Sequence, residues 1–120
     1  MRLIEIRSYK LKPGTAAAFD AAVRNEAIPM LRRWKTDVVA FGPSPHEPDT
    51  YFLIRAYNDL ADLEAQQGAF YGSDEWRSGP REALVSRIES YLNTVVWLSQ
   101  EGVDDLRLAN AANTSRGTIP

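Results

Sequence analysis

Glu5, Arg7 and Tyr9 stand two residues apart near the start of the chain, and Tyr51, Leu53, Arg55 and Tyr57 repeat that spacing further along. A step of two puts side chains on one face of a β-strand, so each set forms a row. An arginine offers a planar fork that matches a carboxylate or enolate at two points. Two cations against one carboxylate leave a net positive spot. With Tyr9, Tyr51 and Tyr57 as walls, that spot suits a small planar anion, aromatic or of the keto-acid type. The competing reading is a closed network in which Glu5 pairs with Arg7 or Arg55 across adjacent strands, Tyr9 bonds nearby and no ligand enters. Either way the three charges need partners, because an isolated charge is expensive to desolvate.

His46 is the single histidine and lies in the Pro-flanked stretch Ser-Pro-His-Glu-Pro, where solvent is the default surrounding. With Glu47 it makes at best a weak acid/base pair. The chain has no Cys, which excludes disulfides, thiol nucleophiles, iron–sulfur clusters and zinc sites of the Cys/His kind. No Gly-rich phosphate loop, dinucleotide fingerprint, nucleophile elbow or HExxH motif occurs, so nucleotide cofactors and hydrolase chemistry lose support. No cofactor and no metal site is expected. Any catalysis would be cofactor-free, with Glu5 or His46 as base and Arg7 stabilising a developing enolate or oxyanion. Arg32, Arg33 and Lys35 read as a solvated helix end, and Ser73-Asp74-Glu75 as a helix cap. Trp34, Trp76 and Trp97 read as core or interface aromatics.

The elements that must carry these residues follow from the pattern of polarity. Leu3 to Leu11 alternates as a strand, and Thr15 opens a helix in which Phe19, Val23, Ala27, Met30, Leu31 and Trp34 recur at steps of three and four. Pro29 predicts a kink around Glu26, since it lacks a donor and clashes with the carbonyl four residues back. A short strand over Thr36 to Phe41, a turn-rich loop, and a strand over Thr50 to Tyr57 come next. Asp59 caps a helix to about Gly68 with Leu60 and Leu63 inward, and Ser73 opens a further helical stretch carrying Trp76, which Gly79 and Pro80 interrupt before Leu84, Val85 and Ile88 resume a helical spacing. Ser90 to Leu98 is the last strand. The order strand, helix, strand, strand, helix, strand is one α+β unit, residues 1–98, followed by a tail, residues 99–120, with a weak helical pattern at Val103, Leu106 and Ala109.

The 120 residues and 13.5 kDa suit a single domain. A net charge of −2 and a pI near 5.4 give no basic excess for nucleic acid. No apolar run approaches a membrane span, the first ten residues lack a signal-peptide block, and a cytoplasmic location is the expectation. Ile4 and Ile6 with Phe52, Ile54 and Ala56 form a purely apolar face, which is expected to seat the helices. The mixed face of Leu3, Tyr9, Leu11, Tyr51, Leu53 and Tyr57 would then need a second sheet to cover it, which predicts a homodimer.

The run Glu-Ile-Arg-Ser-Tyr-Lys-Leu-Lys-Pro-Gly from Glu5 to Gly14, with Ile-Pro-Met-Leu-Arg-Arg-Trp from Ile28 to Trp34, resembles the NIPSNAP family. Ala-Tyr-Asn-Asp-Leu from Ala56 to Leu60 and the Glu75–Trp76 pair extend the match, which covers Leu3 to Leu98. The resemblance implies a ferredoxin-like four-stranded antiparallel sheet (βαββαβ) with helices on one face, two chains joining their sheets as a dimeric α+β barrel. Related barrels include cofactor-independent oxygenases, haem-degrading proteins, and lyases or isomerases of small aromatic or polyketide compounds. The third-strand position where many relatives carry His is Leu53 here, with Arg55 beside it, which argues against haem. The expected function is binding of a small aromatic or anionic molecule by Arg7, Tyr9, Tyr51, Arg55 and Tyr57, with oxygenase or isomerase chemistry as its extension. The alternative is a non-catalytic scaffold with a filled interior.

Overall fold

The computed structural model describes residues 1–111. Four strands, β1 (Arg2–Leu11), β2 (Asp37–Pro43), β3 (Thr50–Tyr57) and β4 (Ile88–Leu98), form one sheet in the order β2-β3-β1-β4. Every neighbouring pair is antiparallel. Helices α1 (Ala16–Ala22) and α2 (Ile28–Arg33) join β1 to β2, while α3 (Leu60–Tyr71), α4 (Asp74–Ser78) and α5 (Arg81–Val85) join β3 to β4. The chain therefore has the expected ferredoxin-like α+β order, and α6 (Gln100–Ala109) follows β4.

Local chemistry explains the breaks. Gly14 turns with φ of +79°, a conformation that costs a side chain-bearing residue energy, and delivers the chain from β1 into α1. Thr15 holds the N-cap position, but its hydroxyl donates to Lys12 O at 2.7 Å instead of capping α1. The kink expected from Pro29 is a π-helical turn over Val23–Ala27, where the Ile28 N–H reaches back five residues to Val23 O. Pro29 cannot donate to Asn25 O, so the ladder widens there by one residue. Asp59 caps α3 by accepting from Asp62 N at 2.8 Å, and Ser73 caps α4 by accepting from Trp76 N at 3.2 Å. Leu60, expected inward, is exposed, and Ile88 belongs to β4 rather than to a helix.

The two faces of the sheet are the reverse of the sequence expectation. Leu11, Tyr51 and Leu53 pack with Phe19, Ile28, Leu31, Phe70 and Trp76 of the helices, and Leu3 and Tyr57 pack with Leu63. The row of Glu5, Arg7 and Arg55 therefore lies under the helices of its own chain, not against a sister subunit. The aliphatic face instead carries Ile4, Ile54 and Ala56 beneath Val103 of α6. Bulky aromatic rings line the deep space under the helices, and the charges tolerate that burial because they compensate one another. Side-chain hydropathy alone favours the smoother aliphatic face for that role and so picks the wrong one.

Helix α6 covers only part of the aliphatic face. Ile6 is 36% exposed, and on β4, an edge strand, Leu92 is 76% and Val96 42% exposed on that face. The Asn-Thr-Ser-Arg-Gly-Thr end of the tail lies outside the described residues. Among those described, no helix is long and apolar enough to cross a membrane.

Candidate functional site

Between the helices and the Tyr-and-Arg face of the sheet lies a cavity of about 440 Å³. Phe19, Leu31, Leu53, Phe70, Trp76 and Leu84 give it an apolar and aromatic wall. Arg7, Tyr9, Tyr51, Gln67, Tyr71 and Arg81 supply its polar groups. A mostly apolar space with a few convergent polar groups is the usual form of a small-molecule site.

The strand registers build the charged end. Glu5 stands opposite Arg55 on β3 and Val95 on β4, and Arg7 opposite Leu53 and Asn93. Glu5, fully buried, accepts at one carboxylate oxygen from Arg55 Nε at 2.8 Å, with Arg55 Nη2 2.7 Å from the same atom. Its other oxygen accepts from Arg7 Nη2 at 3.1 Å, Gln67 Nε2 at 2.8 Å and Asn93 Nδ2 at 2.7 Å. Burial pushes the Glu5 carboxyl up, but Arg55, Gln67, Arg7 and Asn93 together outweigh that and hold it below the usual carboxylate value. A carboxylate so stabilised is a weak base, and Glu5 does not line the cavity. It anchors the two arginines.

Arg7 reaches the cavity from this anchor. Its Nε donates to Asn93 Oδ1 at 3.2 Å, and its guanidinium lies 5.0 Å from the centre of the Tyr91 ring and 5.8 Å from that of Tyr71. Arg55 stays behind the wall, with Nη1 donating to Tyr71 Oη at 2.8 Å. Burial lowers the pKa of each guanidinium, but neighbouring phenols and Glu5 more than offset it, so both remain cations.

The tyrosines divide between wall and support. Tyr9 packs at a tilt against Phe19, ring centres 5.5 Å apart, and burial pushes its phenol up to about 12. Tyr51 donates to the buried carboxylate of Asp20, which Arg24 grips at 2.8 Å from the next turn; burial first and this bond second push the Tyr51 phenol up. Tyr57 lies outside the lining and accepts from Gln67 Nε2 at 3.1 Å. His46 does not line this cavity and is exposed in the β2–β3 loop, with Nδ1 2.6 Å from Ser44 Oγ and Nε2 3.5 Å from Glu47. The structure thus brings Glu5, Arg7, Tyr9, Tyr51 and Arg55 together and leaves His46 out.

Several participants went unread in the sequence. Asn93 continues the step of two from Tyr91 on β4, and Asp20 with Arg24 shows the i, i+4 spacing of a helical ion pair, so both left a signal. Gln67 and Tyr71 left none, because which face of α3 meets the sheet is a tertiary matter. Among the described residues no group of three His, Asp or Glu side chains is placed to hold a metal ion. Leu53 lines the cavity at the position where a histidine was considered.

Comparison with solved structures supports this architecture. A NIPSNAP family protein from Agrobacterium tumefaciens superposes with a TM-score of 0.76 at 19% identity, over 83% of this chain and 95% of that one. A second Agrobacterium tumefaciens protein of that family, of unknown function, gives 0.73 at 24% identity over 79% and 86%. A putative antibiotic biosynthesis monooxygenase from Bordetella bronchiseptica gives 0.66 at 21% identity over 82% and 97%. At these identities the likeness is one of fold. No curated protein matches the chain. The NIPSNAP family model, however, matches residues 4–100, and on that match, with the fold already described, the chain belongs to the NIPSNAP family.

Proposed function

We propose that this chain works as a homodimer that binds a small aromatic or anionic organic molecule in the cavity under its helices, with Arg7 meeting the anionic group. The observation that carries the reading is the cavity of about 440 Å³, aliphatic and aromatic on most sides, with the Arg7 cation in its wall. Glu5, Arg7 and Arg55 sum to one positive charge, and Arg81 adds a second at the lining. A planar anion gains both ring contacts and a charge-assisted hydrogen bond there. Space of this size favours binding over a scaffold with a closed interior. The fold shared with the putative monooxygenase fits an extension to cofactor-free oxygenation or isomerisation, in which Arg7 would stabilise a developing oxyanion.

A second copy of the chain is the proposed cover for the aliphatic face. Ile6, Ser8, Leu92, Thr94 and Val96 form an uncharged centre there, and Lys10 at its end is paired with Glu89 at 3.2 Å, so two copies meet with little like-charge repulsion. An edge strand of 11 residues with apolar side chains is otherwise a site of uncontrolled association. A two-fold contact needs only such a self-complementary patch.

Fluorescence titration with 2-naphthoate tests the site. The expected result is saturable binding by the natural chain and loss of about tenfold or more with Arg7→Met, the scale of one charge-assisted bond. Equal affinity in the two proteins removes Arg7 from the site. Light scattering tests the assembly: the natural chain should have twice the mass of 13.5 kDa, and Leu92→Glu should halve it.

A further inference from the structure

The hydroxyl of Tyr71 is held in an unusual position. Its oxygen accepts from Arg55 Nη1 at 2.8 Å and, more weakly, from Arg7 Nη1 at 3.4 Å. A phenol has one O–H and two lone pairs, and a guanidinium has no lone pair to offer in return. The Tyr71 proton therefore points at neither arginine, and no other described side chain or carbonyl accepts it. Tyr71 lines the cavity. Its ring is locked edge-on between Phe70, at 5.0 Å and 84°, and Trp76, at 5.2 Å and 80°, so the hydroxyl cannot swing away without repacking the helices.

From this geometry we infer that Tyr71 is a specificity-determining hydrogen-bond donor of the cavity, selecting planar aromatic ligands with an exocyclic carbonyl or carboxylate oxygen. The inference rests on the cavity being a binding site and adds which atom of the ligand is read and by what. Two cationic N–H donors pull electron density from the phenol oxygen and strengthen its own donation. Charge attraction by Arg7 favours anions in general. The Tyr71 donor asks only for an acceptor oxygen, so it extends recognition to a neutral ketone that Arg7 would hold weakly. The supporting groups come from three elements: Arg7 from β1, Arg55 from β3 and Tyr71 from the last turn of α3. The donor is thereby set by the tertiary fold rather than by a loop.

The test uses three probes of similar shape, naphthalene, 2-acetylnaphthalene and 2-naphthoate, titrated against the full chain. The natural protein should bind the ketone and the carboxylate about tenfold or more tightly than naphthalene. Tyr71→Phe should bring 2-acetylnaphthalene down to the naphthalene level, while 2-naphthoate keeps the part of its affinity that Arg7 supplies. The comparison is between probes on one protein, so a general loosening of the variant moves all three together. Tyr71→3-fluorotyrosine keeps the acceptor oxygen for both arginines and makes a stronger donor, and should tighten the ketone selectively. If the ketone keeps its advantage over naphthalene in Tyr71→Phe, or 3-fluorotyrosine leaves it unchanged, the Tyr71 inference fails while the binding site stands. If the natural protein binds none of the three, the cavity reading itself falls and the inference with it.

Discussion

Replacing Glu5 by Gln would remove the one negative charge that faces two buried guanidinium groups. The Glu5 carboxylate has no exposed surface, the Arg55 side chain is 1% exposed and the Arg7 side chain 13%, so solvent cannot take over the lost role. An amide also turns one acceptor into a donor. Its NH2 would face either Arg55 on one side or Arg7, Gln67 and Asn93 on the other, all of them donors. Removing one partner from a buried ion pair costs about 3–5 kcal/mol, a large share of the roughly 5–15 kcal/mol that holds a domain folded. At this chain length such a loss lowers Tm by about 10–20 °C. Urea denaturation and calorimetry of Glu5→Gln against the natural chain measure it. The pH dependence gives a second readout. The folded-state pKa of Glu5 is depressed, so its contribution is present above the unfolded carboxylate value near ~4.3 and is lost as pH falls through the folded value. Glu5→Gln should lack that part of the acid-side loss. A variant within about 1 kcal/mol of the natural chain, with an unchanged acid limb, would refute the claim that this carboxylate neutralises the two arginines.

The buried phenols act at the opposite end of the pH scale. Tyr9 is raised to about 12 and Tyr51 is raised further by burial and Asp20, so their stabilisation is intact below the unfolded phenol value near ~10. It drains away as pH rises from about 10 towards 12. Absorbance at 295 nm with circular dichroism should show late phenol ionisation coinciding with unfolding, and Tyr9→Phe should push the transition to higher pH; ionisation of every phenol near pH 10 in a still-folded chain would contradict this. Val103 is fully buried against Ile4, Val39, Ala40 and Ile54, so Val103→Ala should cost about 2 kcal/mol and raise amide exchange along α6. Unchanged exchange over 100–109 would mean that α6 is not held by that side chain.

The secondary structure was readable because short-range rules governed it. Strict alternation in β1 and β3 needs no partner to be recognised, and Asp59 and Ser73 announce their helices by capping chemistry that acts within three residues. Pro29 announces a kink for the same reason, though that the kink takes the form of a π-helical turn is seen only in the fold. The rows that hold Glu5, Arg7 and Arg55 were readable too, since a step of two puts each on one face of its strand, whereas the register that sets Glu5 opposite Arg55 is a matter of pairing. The membership of Tyr71 and Gln67 was not, because a helix presents several faces and only packing chooses one.

What the chain by itself determined is the set of elements, their α+β order and the rows of Tyr, Glu and Arg that the strands carry. Packing alone decided that this row turns towards the helices of its own chain, with Tyr71 brought down onto Arg55 and Arg7, and that the aliphatic row turns towards α6. The physical reason is that a strand records how its two faces differ, but not which neighbour each will meet. A charged face enters a core once donors from distant segments satisfy it, and Gln67 and Asn93 reach Glu5 only after the sheet has closed.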